Sequence, residues 1–418
     1  MENLTEDGIV IPTNWKSVDS MIKVIGVGGG GCNAVSYMYN QKIEGCTFIV
    51  CNTDAQALES SPVPEKIQLG KGLGAGCDPT EGRNAALEAV DQIKQHAIDN
   101  GTEMLFITAG MGGGTGTGAA PVIANLAKQA GILTVAVVTL PFENERNASM
   151  SKAIDGIREL EKNVDSLIII NNQKLYECYG NLKIYEAFPK TDEVLATAVK
   201  GIIDIIQKKG YINVDFKDVK KMMKDSGLAL MGCGTSSGEN RIEEAVTAAM
   251  QSPLLNDFNL KTAKNFLVNI TTGKNEDCIL MEDLGRINDM ISGYTGDANN
   301  FKTGIVFDNS DNIGDKISIT VIATGFKMDK LGKITDVNLG RIIEIDENYR
   351  YNGVKNYRYD DNSDKSIVET PKCEKIGFTD SNNKRKFVFN EKPVLIVSSN
   401  EDKSELENCA AIRRKNNK

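Results

Sequence analysis

The chain has 418 residues, 41% of them apolar and 25% charged, with a formal net charge of -9 and a single histidine. That length is more than one hydrophobic core usually holds, so two domains and a tail are expected, and the acidic balance argues against nucleic acid as the main partner. The acidic start, Met1 to Asp7, lacks a signal-peptide pattern and no apolar run is long enough to span a bilayer, so a cytoplasmic protein is expected. Nine cysteines are scattered without a C-x-x-C. His96 alone cannot complete a zinc site with them, and on an expected helix from Glu81 to Ile98 it does not serve a Ser-His-Asp or Cys-His arrangement.

Met1 to Met21 read as an extension, with Trp15 as a packing anchor. Ile22 to Ile25 form a strand, followed by the glycine loop Gly26 to Gly31, then Cys32, Asn33 and a helix through Asn40. Gly26, Gly28 and Gly31 satisfy G-x-G-x-x-G, and Asp54, after the strand Thr47 to Asn52, would then sit on a ribose hydroxyl. That motif alone is weak, and an NAD-dependent enzyme is the rival it supports. A second glycine-rich stretch, Gly70 to Pro79, precedes the helix from Glu81.

The chain is organised around Ala109 to Ala120, where Gly112, Gly113, Gly114, Thr115, Gly116, Thr117 and Gly118 lie between the strand Met104 to Thr108 and a helix over Ala119 to Ala130. Strand, glycine loop and helix start make an anion site, because unpaired N–H groups and the positive end of the helix dipole meet there. Thr115 and Thr117 add hydroxyls for phosphate oxygens or a hydrated Mg²⁺. A flexible linker is the bland alternative. Strand Leu133 to Val138, the turn Leu140 to Glu145, a helix towards Lys162 and strand Ser166 to Ile170 follow, ending at Asn171 and Asn172. This alternation implies an α/β fold with a mainly parallel sheet, and its loops fall at the carboxyl edge where ligands bind.

No G-x-x-x-x-G-K-[ST] occurs, which excludes a P-loop, so phosphates would rest on backbone amides and hydroxyls. Guanine needs an acceptor for N1–H and N2–H₂, which one carboxylate supplies. Asp192 is a candidate, four residues after the Phe188 ring, and it equally reads as the N-cap of a helix from Asp192 to about Lys208. That helix is apolar over a wide surface and suits a connector between domains. Asp215 and Asp218, in Asn213 to Val219, project near each other at a helix start, or serve simply as N-cap and first turn. From Ala229 to Gly325 a smaller α+β domain is expected, with helices Glu239 to Gln251 and around Asp283 to Ser292, and strands Phe266 to Ile270, Ile305 to Phe307 and Ile317 to Ile322. Lys327 to Lys418 read as a largely disordered tail with apolar patches such as Val394 to Val397.

Taken together, Gly26 to Val35, Asn52 to Leu58, Gly72 to Gly76, Gly110 to Ala120, Pro141-Phe142 and Asn213 to Val219 resemble the tubulin/FtsZ family of GTPases, over about Ile22 to Gly325. The resemblance implies a Rossmann-like GTPase domain over residues 22–191, a long central helix over 192–209, an α+β domain over 210–326 and a tail over 327–418. It implies a cell-division GTPase forming head-to-tail filaments at midcell, with GTP or GDP and Mg²⁺ bound through the nucleotide. A filament-forming or nucleotide-binding paralogue with little hydrolysis is the alternative.

The nucleotide would meet Gly28, Gly29, Gly30, Gly31, Cys32, Asn33, Gly74, Ala75, Gly76 and Gly112 to Gly118 at its phosphates, Glu145 and Asn172 at the ribose, and Phe188 and Asp192 at the base. Asn213, Asp215 and Asp218 would enter the next subunit's site, polarise the attacking water and help order Mg²⁺. Ser149 stands where the family has an arginine near the nucleotide, with Arg146 as a candidate substitute, and Gln173 where an acidic residue is common. Cys32 and Cys77 replace small residues in phosphate loops, for which the mild prediction is tolerance and the sharper one sensitivity to thiol oxidation. The partner peptide for membrane-anchor or division proteins is degenerate: Leu406 to Arg414 is acidic with a basic end but lacks a proline and an aromatic.

Overall fold

The computed structural model describes residues 21–99, 101–142, 145, 147–173, 183–207, 215–252, 255, 260–296, 300–308 and 314–326, and beyond them the backbone of six strands between 334 and 397. The extension with Trp15, Arg146, Asn213 and the peptide 406–414 lie outside the described residues. By compactness the chain divides into Met1–Met328 and Asp329–Lys418.

The first unit is built on one ten-stranded sheet of order β3-β2-β1-β4-β5-β6-β7-β10-β8-β9. Its strands are β1 (Ile22–Val27), β2 (Thr47–Asn52), β3 (Glu65–Gln68), β4 (Met104–Gly110), β5 (Leu133–Leu140), β6 (Ser166–Asn171), β7 (Gly227–Ser236), β8 (Asn265–Gly273), β9 (Asn300–Asp308) and β10 (Ile317–Phe326). Strands β1 to β6 pair in parallel, and all but the short polar edge strand β3 are the near-continuous apolar runs that burial on both faces requires. β7 joins this array in parallel through Ser166↔Gly227, Leu167↔Leu228 and Ile168↔Ala229. β10 runs antiparallel to both β7 and β8, and β9 runs parallel to β8. β7, β8 and β9 therefore point the same way as β1 to β6, and apart from the reversed β10 these strands share one amino edge and one carboxyl edge.

The helices are α1 (Gly28–Asn40), α2 (Ala55–Glu59), α3 (Pro79–Glu88), α4 (Val90–Ile93, continued by a π turn over Lys94–Ile98), α5 (Thr115–Gln129), α6 (Asn147–Glu161), α7 (Ile184–Gln207), α8 (Phe216–Met223), α9 (Arg241–Met250) and α10 (Met281–Thr295). The single helix expected from Glu81 to Ile98 is thus interrupted at Ala89, whose backbone leaves the helical region (φ -99°, ψ 14°).

β7 was not legible as a strand, because Gly232 and Gly234 lower its strand propensity. Their role is contact: a Cβ at either would collide with the Ala249 or Ala245 carbonyl oxygen of α9.

α7 begins eight residues earlier than Asp192 and continues through Pro189, so Asp192 lies inside the helix and is not its N-cap. Pro189 lacks the N–H that would bond back to Tyr185, and α7 continues past that missing donor. Leu195, Val199, Ile202 and Ile203 of α7 are buried in the same apolar cluster as Val35 and Met38 of α1, Phe106 of β4 and Ile322 of β10. Each such side chain contributes about 1.5–3 kcal/mol by leaving water. A Cβ on Gly201 would stand 3.0 Å from Thr320 Cγ2 and 3.5 Å from Met231 Sδ, so α7 also lies directly on β10 and β7. The connector expected from its wide apolar surface is a helix packed on two sides.

In the second unit, the backbone strands Ile334–Asp336, Arg341–Ile345, Tyr351–Tyr359 and Lys365–Val368 form one antiparallel sheet, and Arg385–Val388 pairs with Val394–Val397.

Candidate functional site

Three glycine-bearing segments meet at the carboxyl edge. The first turn of α1 follows β1 directly, and that of α5 follows β4 after Met111 to Gly114, so both present unpaired N–H groups there. Glycine makes their approach possible. Gly28 adopts φ +71°, and a Cβ on it would stand 2.8 Å from the Gly116 amide nitrogen. A Cβ on Gly31 would strike the Thr108 carbonyl, one on Gly116 the Gly110 carbonyl and one on Gly118 the Pro79 carbonyl. The third segment, Gly74 to Asp78, packs on the second, since a Cβ on Gly114 would lie 2.8 Å from Ala75 Cβ and 2.9 Å from the Asp78 nitrogen. These contacts are the alternative to a flexible linker: the loop is wedged on three sides.

Gly29 and Gly113 differ. Both are exposed, neither has a positive φ, and nothing lies within 4 Å of a Cβ built on them. The protein itself has no need of glycine there. What the missing side chains leave open is space beside unpaired amides, a cradle suited to phosphate oxygens. Gly30 and Asn33 lie at the same rim, with Asn33 exposed.

The hydroxyls divide. Thr115 Oγ1 is 2.6 Å from Thr53 Oγ1, at the cradle's floor and partly exposed. Thr117 is buried, and its Oγ1 accepts the Gly112 N–H at 2.8 Å, so this side chain ties the loop to itself rather than facing a phosphate. Thr53 was not singled out from sequence, and its position at the end of β2 beside Asp54 was the available signal. Asp54 is the N-cap of α2, accepting from the Gln56 and Ala57 nitrogens. That commits its Oδ1 to the helix start.

Cys32 likewise turns inward. Its Sγ donates to the Gly26 and Cys51 carbonyls at 3.6 and 3.4 Å, and burial pushes the thiol up to about 12. Its side chain therefore offers nothing to a phosphate, and the expected oxidation sensitivity does not hold for it. Cys77 is exposed, at φ +59°, and its carbonyl accepts from Lys152 Nζ at 2.6 Å.

Around the cradle, a Cβ on Gly112 would lie 2.9 Å from the Ser149 carbonyl, placing the first turn of α6 against the loop. Glu145 Oε1 accepts the Phe142 N–H at 3.1 Å, closing the turn after β5. Asn172 is buried at the end of β6, and its Oδ1 accepts no hydrogen bond from a described residue. A buried orphan oxygen of this kind normally has a partner, and a ligand hydroxyl or amino group supplies one. Phe188 lies on α7, with its side chain outside the described residues. Asp192, one turn further on, is half-buried, and desolvation pushes its carboxyl up to about 6. Among the described residues no cation stands against it, so its ionised form is underused until a donor arrives. Among the described residues no three His, Cys, Asp or Glu side chains converge on a metal-sized site.

Asp215 and Asp218 lie elsewhere. Asp215 caps α8, its Oδ1 accepting the Asp218 N–H at 2.7 Å, and Asp218 Oδ2 is 3.2 Å from Lys302 Nζ. The N-cap geometry expected of this pair is present. From α8, Lys220 reaches Glu103, the residue before β4, at 3.4 Å, and Lys302 is third in β9, so α8 sits at the amino edge. Seven-residue β4 separates that edge from the cradle by roughly 20 Å.

Comparison with known proteins follows the same division. Residues 21–180 match the Tubulin/FtsZ family, GTPase domain, and residues 227–327 match the FtsZ family, C-terminal domain. The chain is 49% identical over 324 residues to the Cell division protein FtsZ of Pseudomonas aeruginosa, covering 76% of this chain and 80% of that one. It is 50% identical over 327 residues to that of Azotobacter vinelandii, covering 77% and 81%. An empty FtsZ dimer of M. jannaschii superposes with a TM-score of 0.67 at 39% identity, over 73% of this chain and 88% of that one.

Proposed function

The chain belongs to the tubulin/FtsZ family of GTPases, and from that premise we propose that it hydrolyses GTP only between subunits, as a cell-division filament protein whose catalytic site is split across a head-to-tail contact. It binds guanine nucleotide, hydrolyses GTP and self-associates into filaments. The observation that carries the split site is the placement of the glycine cradle and the α8 carboxylates on opposite edges of one sheet. A second copy stacked in the same direction brings its amino edge to the first copy's carboxyl edge, and a contact of that kind propagates without closing.

In this reading Gly28 to Gly31, Gly74 to Gly76 and Gly112 to Gly118 line the phosphates, which meet those amides not already bonded within the protein, Glu145, Ser149 and Asn172 line the ribose and α6 side, and Phe188 and Asp192 take the base. Asp192 accepts from guanine N1–H and N2–H₂. Asn213, Asp215 and Asp218 of the next subunit orient a water against the γ-phosphorus. The new P–O bond forms as the bond to the β–γ bridging oxygen breaks, and a proton passes from the water to solvent or phosphate. Positioning and charge stabilisation suffice for such a transfer. Mg²⁺ suits the oxygen donors at hand, the Thr115 hydroxyl and the incoming Asp218 carboxylate, with most of its ligands coming from nucleotide and water, and it supplies charge neutralisation at the phosphates. Residues 22–191, 192–209 and 210–326 act as nucleotide-binding part, connecting helix and activating part, and the tail from 327 offers Leu406 to Arg414 to a membrane-anchor or division protein. The protein works in the cytoplasm at midcell.

The test is GTP turnover per molecule against protein concentration, read together with light scattering. A rate near zero that rises at the scattering threshold, and that Asp218→Ala abolishes while GTP binding persists, supports the split site. A per-molecule rate independent of concentration overturns it, and filaments without turnover point to the paralogue with little hydrolysis.

A further inference from the structure

We propose that Lys302 is a positioning residue for GTP hydrolysis, acting through Asp218 in the neighbouring subunit's site. The inference rests on the reading that Asp218 enters that site. Asp215 has one oxygen committed to the Asp218 N–H at 2.7 Å, and Asp218 has one committed to Lys302 Nζ at 3.2 Å. Asp218 Oδ1 has no partner among the described residues and is the oxygen left to orient a water.

The strand that carries the lysine is itself held. Lys302 stands on the edge strand β9, two residues after Asn300, whose Nδ2 donates to Asn265 Oδ1 at 2.8 Å. Asn265 Nδ2 donates to the Met222 carbonyl at 3.2 Å, and Thr324 Oγ1 donates to that same carbonyl at 3.1 Å. The last turn of α8 is thereby tied to β8 and β10, and its first turn is tied to β9 by Lys302. A half-exposed ion pair adds little to fold stability. Its effect is geometric: it fixes the Asp218 side chain in one orientation before the subunits meet, so no rotamer search is needed in the assembled site.

Charge adds a second effect. Two carboxylates advancing on a triphosphate repel it, and the Lys302 ammonium advances with them, with exposed Lys217 beside it on α8. The cation offsets the repulsion without donating a proton or forming a bond.

The test compares full-length Lys302→Met, Lys302→Arg and Asp218→Ala proteins. Lys302→Met is expected to bind GTP and to assemble at an unchanged threshold concentration, with turnover per assembled subunit about tenfold lower. Lys302→Arg restores most of the rate. In copolymers, Lys302→Met subunits regain turnover when mixed with Asp192→Ala subunits, whose own base reader is gone but whose Lys302 acts in trans.

Lys302→Met at full rate, with Asp218→Ala inactive, refutes the role of Lys302 and leaves the split site standing. A faster Lys302→Met protein refutes it too, making the ion pair a latch. Loss that arginine does not rescue and mixing does not complement assigns Lys302 to the fold alone. Asp218→Ala at full rate overturns the split site itself.

Discussion

Asp192 gives the sharpest test of base recognition, because one perturbation changes both pH dependence and base preference. Burial pushes its carboxyl up to about 6, and only the ionised form accepts from guanine N1–H and N2–H₂ together. In the nucleotide-free protein the ionised fraction is therefore near one at pH 8 and about one-eleventh at pH 5, which makes GDP binding about tenfold weaker at the lower pH. The terminal phosphate of GDP also takes up a proton in this range, so Asp192→Asn measured in parallel supplies the baseline. The amide replaces two charge-assisted bonds by one neutral acceptor and one misdirected donor, a loss of about 3 kcal/mol or roughly a hundredfold in GDP affinity. Its new N–H matches the 2-carbonyl of xanthine, so the ratio of XDP to GDP affinity rises. Calorimetric titrations of both proteins with both nucleotides between pH 8 and 5 decide the matter. Equal acid sensitivity in the two proteins, or an Asp192→Asn protein with undiminished GDP affinity, refutes Asp192 as the base reader.

The remaining expectations concern packing and thiols. Gly29→Ala and Gly113→Ala keep the melting temperature of the free protein but weaken GDP binding at least tenfold, whereas Gly31→Ala, whose Cβ meets the Thr108 carbonyl, loses about 2 kcal/mol or more without ligand. Thermal melts with and without GDP separate the two outcomes. Cys77 is exposed and reacts with a maleimide in the folded protein, while Cys32 and Cys51, buried and with thiols pushed well up, react only after denaturation, as mass mapping of the adducts shows. Because folding raises the Asp192 pKa above its unfolded value, the folded chain binds that proton more tightly, and the group's unfavourable charge is relieved as pH falls through 6. The nucleotide-free protein therefore gains stability relative to Asp192→Asn between pH 7 and 5, measured as the difference in melting temperature.

Most of the parallel half of the sheet was legible because β1, β2, β4, β5 and β6 are apolar runs, with glycine loops directly after β1 and β4; the edge strand β3 was not, since Glu65-Lys66-Ile67-Gln68 carries a single apolar residue. The roles of single side chains within those loops were less so. Thr115 and Thr117 stand two apart in one loop, yet helical rotation sends one to the cradle and the other into the loop's own hydrogen bonding. Cys32 follows Gly31 in a helix whose buried face it shares, so its thiol turns to the core and away from the edge. Asp192 reads as an N-cap where α7 in fact continues, because tertiary burial decides the extent of that helix. Lys302 could not have been found from sequence, since its partner lies 84 positions away and only the adjacency of β9 to α8 brings them together.

The two edges are joined by a rigid spacer, which makes concentration dependence a consequence of the fold. From Asp192 to Gln207, α7 rises about 22 Å at 1.5 Å per residue, close to the roughly 20 Å spanned by β4. Gln207 Nε2 is fastened to the Gly45 carbonyl at 2.5 Å, and the helix is buried against α1 on one side and β7 and β10 on the other. With Asp192 as base reader near one end and Asp215 capping α8 beyond the other, the same helix that holds the base holds the carboxylates away from it. Bringing them to their own nucleotide means unpacking Leu195, Val199, Ile202 and Ile203, at several kcal/mol. A second copy meets the requirement without disturbing that core, so the proposed split site makes the uncomplexed subunit a nucleotide binder and reserves hydrolysis for the pair.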